Sequence, residues 1–223
     1  MQIDTENDVL SQLDLDSFFE LTDKSFDLEA GTAFNKGNTR IIYLPEDAIA
    51  GIHASLKVET GAAWKIILKN CGLIWGKKVA LNLNRELKLI FSTTQSDIQA
   101  QECLRLLERY FSEHGWGLMT FDLSKAFTHG FIHAKLDNSI FVTVLKDEND
   151  FVDPMIAGVL ASLFSDVSGK ELDAIEIACA ARGAHSCEFL ISSVERIEEL
   201  ESAVEEGHAS EELIEKLCQS AAQ

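Results

Sequence analysis

The stretch from Trp64 to Trp75 limits what this chain can fold into more than any other. Trp64, Ile67, Leu68, Cys71, Ile74 and Trp75 recur at three- and four-residue steps, and the segment is apolar over most of its circumference. A helix of that kind has to be buried against other elements on most of its sides. Ile49, Ile52 and Leu56 begin the same periodicity, so the spacing predicts helix from Glu46 to about Leu83, with Gly61 dividing it. A further helix is predicted from Ser96 to Glu113. Cys103, Leu106, Leu107, Tyr110 and Phe111 share its apolar face, and His114, Gly115 and Gly117 end it. Another runs from Asp153 to Ser168, with Pro154 in its first turn and Gly169 at its exit.

Elsewhere the period changes to two. Leu118 to Leu123 alternates, and Arg40 to Leu44, closed by Pro45, reads as a short strand. Gly130 to Lys135 and Ile140 to Lys146 flank Asp137–Asn138 as a hairpin would, and His129 and His133 are expected on strand. Leu172 to Ala178 and Cys187 to Ser192 make a last strand pair around Gly183. The sum is an α+β fold, a mostly antiparallel sheet of about five strands packed against three or four helices. Residues 1–39 form an acidic N-terminal arm, 40–195 the folded domain and 196–223 a Glu-rich helical tail. The arm, with nine acids and one base in its first 29 residues, reads as mobile and partly packed on the domain.

Charge excludes several functions. There are 37 acidic against 19 basic residues, a net charge of −18, and such a surface repels phosphate backbones and anionic lipid. The expectation is no nucleic acid and no electrostatic membrane docking. No apolar run approaches the roughly 20 residues of a membrane span. The N-terminus MQIDTENDVL is not a signal peptide, and an odd count of five cysteines suits a reducing compartment, so a cytoplasmic location is expected. No phosphate loop, dinucleotide fingerprint, nucleophile elbow or paired-histidine metal motif is present, so no nucleotide cofactor is predicted and nothing announces an enzyme.

The informative segment is Ala174 to Ile191, AIEIACAARGAHSCEFLI. Glu176 stands between Ile175 and Ile177 in an apolar strand; Cys179 follows three residues later and Cys187 eight after that. A carboxylate and two thiols at the base of a strand pair can hold zinc, which accepts mixed sulfur and oxygen ligands. Equally, Glu176 can face solvent by strand alternation while the cysteines pack as small hydrophobes.

This arrangement, Glu-x-x-Cys, a small-residue loop, then Cys-x-Phe, resembles the C-terminal signature of the 4-vinyl reductase (hydrocarbon-binding) domain family. The Gly72-Leu-Ile-Trp75-Gly76 run, the Gly115-Trp116-Gly117 helix exit and the helix through Gly158 occur in the same order, so the resemblance covers about residues 40–195. It implies a ligand-binding α+β fold, often dimeric, related to sensory domains of aromatic-responsive regulators and to Golgi-tether (TRAPP) subunits. In zinc-containing sensory members a cysteine near the start of the penultimate helix joins the Glu, Cys and Cys. The matching positions here are Asp153, Glu176, Cys179 and Cys187, and aspartate in the first place is a departure that binds a soft metal less firmly. His185 is an alternative ligand. The aromatic sensors' ligand-contacting Trp falls at Phe131-Ile132-His133, which supplies none.

Three functions follow from the resemblance. The first is a binding or sensor module for an apolar ligand, an aromatic hydrocarbon or a tetrapyrrole, that acts through a protein partner and forms a homodimer. Candidate pocket residues are Trp64, Trp75, Phe111, Trp116, Phe131 and His133, each of which also suits ordinary core. The second is an accessory or reductase-like protein of bacteriochlorophyll 4-vinyl reduction. The third is an assembly protein with a lipid-filled or empty pocket, in which acylation falls in the neighbourhood of Cys71; a reduced core cysteine is the plainer reading there.

Overall fold

The computed structural model describes residues 24–35, 37–93, 98, 100–145 and 148–220, and the side chains of Ile90 and Ser220 are not described. Three short strands open it: β1 (Ser25–Asp27), β2 (Thr32–Phe34) and β3 (Arg40–Ile41) pair antiparallel in that order. Two of them lie in the segment expected to be an arm, whose first 23 residues are outside the described ones. The strand expected from Arg40 to Leu44 stops at Ile41; Ile42, Tyr43 and Leu44 continue as an exposed strap.

Helix α1 (Glu46–Thr60) and a single turn (Gly61–Ala63) lead into α2 (Trp64–Phe91), so Gly61 divides the helical run as expected and α2 continues past Leu83. α3 (Ala100–Glu113) has its apolar face of Cys103, Leu106, Leu107 and Phe111 buried. Then come β4 (Leu118–Asp122), α4 (Ala126–His129), β5 (Ile132–Asp137), α5 (Ile140–Leu145), α6 (Pro154–Ser168), β6 (Leu172–Ala178), β7 (Cys187–Ser193), α7 (Val194–Glu205) and α8 (Ser210–Ser220). The second sheet is antiparallel throughout, in the order β4-β5-β7-β6.

Two expectations are corrected. Ile140 to Lys146 is no hairpin strand: Ile140–Leu145 is helical. Ser139 starts that turn, its Oγ accepting from Phe141 N at 3.2 Å and its carbonyl from Thr143 N at 3.1 Å. Ile140 N is meanwhile drawn to Trp116 O at 3.3 Å, so tertiary bonding overrides the β-branched composition. His129 likewise ends α4 rather than lying on a strand; His133 is on β5.

The four-stranded sheet separates two apolar layers. Ala134 and Leu136 of β5, Cys187, Phe189 and Ile191 of β7 and Ala174 of β6 face α2, α3 and α6. Ile175, Ile177 and Leu190 face the other way, with Phe131, onto Ile197, Leu200, Leu213 and Leu217 of the C-terminal helices. Alternation therefore places Glu176, two residues after Ala174, on the inner face. Helix α6, buried from Ile156 to Phe164, lies between the sheet and α2. No helix among the described residues is long and apolar enough to cross a membrane.

The α2–α6 crossing is a backbone contact. A Cβ built on Gly158 stands 2.1 Å from the Lys69 carbonyl oxygen, and one on Gly72 stands 2.1 Å from that of Met155. Ser162 Oγ donates to Leu73 O at 2.7 Å across the same seam.

Candidate functional site

Asp153, Glu176, Cys179 and Cys187 come together, each offering one ligand atom, all within 4.8 Å of one another and all buried. Asp153 occupies the N-cap of α6 yet makes no capping hydrogen bond with its side chain. An N-cap aspartate ordinarily accepts from the first-turn N–H groups. Here Oδ1 instead accepts from Ser139 Oγ at 2.6 Å, leaving Oδ2 buried without a partner. Glu176 reaches the cluster from β6, and its Oε2 accepts from Asp153 N at 3.0 Å while Oε1 is likewise buried and unpaired. Cys179 follows the β6 irregularity at Glu176/Ala178. A turn at Ala180–Arg182 and Gly183 then brings the chain back to Cys187, whose sulfur lies 3.8 Å from that of Cys179.

Burial pushes the Asp153 carboxyl up to about 7. Burial first, then the charges of Asp153 and Cys179, raise Glu176 well above the usual carboxylate range. The Cys187 S–H donates to Cys179 and draws that thiol down to about 6, against burial, while Cys187 itself is raised by the same bond and by burial. Two carboxylates and two thiols thus crowd a dry site with two oxygens unsatisfied. An unsatisfied buried carboxylate oxygen is costly, and a cation among these donors would relieve it. The donor set fits a divalent metal. His185 is exposed and outside the cluster.

A second feature is a cavity of about 670 Å³ between α2, the end of α3 and the strap after β3. Trp75 and Trp116 line it with ring centroids 4.7 Å apart, and Tyr110, Val79, Leu83 and Ile49 extend the apolar wall. Tyr110 stacks on His114 at 4.0 Å. Of the residues expected to form a pocket, Trp75 and Trp116 are on this wall and the others lie elsewhere. Trp64 packs against His53, Phe111 is fully buried in the inner core, and Phe131 belongs to the opposite layer. His133 is on the outer sheet face, 2.8 Å from Glu188. Cys71 is an exposed residue of α2 and is absent from the cavity wall. Sequence reasoning missed the polar part of the wall. Lys78, Asn82 and Glu86 recur every four residues along α2, a stripe visible in the sequence.

One short segment touches both features. Ser139 holds Asp153, Ile140 lines the cavity, and Phe141 stacks on Trp116 at 5.8 Å. Behind Phe141 sits His53, buried, with its Nε2 unpartnered among the described residues. Burial holds its imidazole below the ordinary 6.5, opposed more weakly by Glu148. A base depressed in the folded state binds protons more tightly when unfolded. Its contribution is therefore intact above 6.5 and is lost as pH falls below that value. Melting curves from about pH 7 to pH 5 are expected to show a smaller drop in Tm for His53→Phe than for wild type. An identical drop in both would remove His53 from the acid response.

Helices flank both faces of an antiparallel sheet, and a buried acid–thiol cluster closes its last strand pair: the architecture of a ligand-binding α+β domain. The family model of the 4-vinyl reductase domain matches residues 132–193, which contain all four clustered donors, so the chain carries a domain of that family. Among solved structures, the phenol-responsive sensory domain of the transcription activator PoxR, determined with phenol, aligns with a TM-score of 0.65 at 16% identity. The alignment covers 86% of this chain and 98% of that one, a likeness of fold. A vinyl-4-reductase family protein from Methanocaldococcus jannaschii aligns at TM-score 0.47 and 18% identity, over 69% of this chain and 84% of its own. A trafficking protein particle complex subunit 3 from Naegleria fowleri, covalently bound to palmitic acid, aligns at 0.48 and 14%, over 66% and 93%. No curated protein sequence matches the chain.

Proposed function

We propose that the protein is a small-molecule binding module of the sensor type, which takes a largely apolar ligand into the Trp75–Trp116 cavity and reports through a protein partner. The observation that carries this reading is the cavity itself. Its volume of about 670 Å³ and its wall of aromatic and aliphatic side chains with a few polar groups are those of a small-molecule site. The match to the 4-vinyl reductase domain and the fold shared with a phenol-responsive sensory domain support the same class. A homodimer belongs to the reading; Ile66, Ile74, Leu81 and Leu89, apolar and exposed along α2, suit such a contact.

In this reading the buried cluster holds zinc through Asp153, Glu176, Cys179 and Cys187. Two sulfurs favour a soft or borderline ion over calcium or magnesium, and four donors suit a closed structural site. The metal's role is to fix the Ser139–Phe141 segment that forms part of the cavity wall. Without it, Asp153 and Glu176 are held by protons instead.

Native mass spectrometry of the full chain from its own host tests the cavity. The expected spectrum shows a bound apolar molecule, and Trp116→Ala is expected to weaken its retention by about 10- to 100-fold, the effect of deleting one aromatic anchor. A ligand retained equally by Trp116→Ala and Trp75→Ala would place the site elsewhere.

A further inference from the structure

The bases around the cavity are treated differently from those on the rest of the protein. Elsewhere a lysine or arginine stands beside a carboxylate: Lys65 with Asp150 at 2.6 Å, Lys69 with Asp173 at 2.7 Å, Lys135 with Glu188 at 3.0 Å. Lys24, Arg40 and Lys78 line the cavity and have no carboxylate partner among the described residues. Arg85 joins them through two further wall residues, donating to Thr39 Oγ1 at 2.5 Å and Asn82 Oδ1 at 3.0 Å, both neutral. The acids of the wall are already engaged: Glu113 accepts from Arg109 at 3.0 Å and Glu86 from Asn35 at 2.7 Å. In a chain with twice as many acids as bases, 37 against 19, four cations without acids around one hollow run against composition. Lys24 also helps burial keep His114 neutral, so its charge acts inside the cavity.

We infer that the ligand is an aromatic acid, its ring system lying against Trp75 and Trp116 and its carboxylate among Lys24, Arg40, Lys78 and Arg85. The inference rests on the cavity reading above and narrows it. Neutral phenols or hydrocarbons fill the apolar wall and leave the cations without a counter-charge. An anionic head meets them in a cavity open enough to remain partly hydrated, which keeps its desolvation cost low.

Two fluorescent probes with one body separate the possibilities: pyrenebutyrate and pyrenebutanol, titrated into the full chain by energy transfer from tryptophan. The carboxylate is expected to bind about tenfold more tightly at low ionic strength, with the margin shrinking as salt is added. The double variant Lys78→Glu/Arg40→Glu, both exposed positions, is expected to erase the margin while leaving pyrenebutanol affinity unchanged. Equal binding of the two probes, unaffected by that variant, overturns the aromatic-acid assignment and leaves an apolar cavity standing. Binding of neither probe, or binding that Trp116→Ala does not alter, overturns the cavity reading and this inference with it.

Discussion

Alanine at Gly158 is expected to destabilise the fold by about 3 kcal/mol, the upper end of what overpacking usually costs. A Cβ there stands 2.1 Å from Lys69 O, 2.9 Å from Leu73 N and 3.0 Å from Lys69 C, all backbone atoms of α2. No rotamer change relieves that contact; α2 and α6 have to move apart. The separation loosens packing along the α6 residues from Ile156 to Phe164 and lengthens the Ser162–Leu73 hydrogen bond. For a chain of this size the loss corresponds to a fall in Tm of about 6–12 °C, readable by calorimetry or circular dichroism. Gly51→Ala in α1 provides the control. Nothing lies within 4 Å of its added Cβ, so the same chemical change in a helix interior is expected to stabilise by about 0.5–1 kcal/mol. A Gly158→Ala protein as stable as Gly51→Ala would mean that the two helices do not meet at their backbones.

What the sequence disclosed followed from local periodicity, and what it concealed came from long-range contacts. α2 and α3 were legible because burial on one or several sides imposes a three- and four-residue rhythm over many turns. The β6–β7 pair was legible because Ile175 and Ile177 bracket a lone carboxylate. The segment Ile140–Leu145 was misread because its β-branched residues favour strand locally. Its helix depends on Trp116 O and Ser139 Oγ, and the first belongs to a distant turn. Phe131 and His133 were grouped with the pocket aromatics, but strand alternation puts them opposite Ala134 and Leu136, away from the cavity. In the cluster, Glu176, Cys179 and Cys187 are close in sequence, and Asp153 entered through a family resemblance. Ser139, which orients Asp153, left no signal, because a serine after a turn has many ordinary uses.

Chelation is expected to lower the Tm of protein loaded with zinc by roughly 8–16 °C. That range corresponds to about 4 kcal/mol of binding when free metal exceeds its dissociation constant about a thousandfold. The size of the effect follows from the site. Four ionisable donors lie within 4.8 Å of one another, away from water, with Asp153 Oδ2 and Glu176 Oε1 unpaired. Protons neutralise the carboxylates only in part, since Asp153 still titrates at about 7. A dication satisfies the two oxygens and both sulfurs together. Cys179→Ser and Glu176→Gln are each expected to abolish stoichiometric zinc, whereas Cys71→Ser, on the exposed side of α2, retains it. Ser139→Ala should keep the metal but weaken its hold by about 10-fold, because Asp153 Oδ1 loses the donor that orients it. Cobalt in place of zinc gives a readout independent of stability, since thiolate coordination produces a visible charge-transfer band that Cys187→Ser would diminish. Wild-type protein that binds neither ion and melts unchanged in chelator would leave the cluster a proton-held acid pair beside two reduced thiols. The cavity wall would then owe its order to the Ser139–Asp153 hydrogen bond alone.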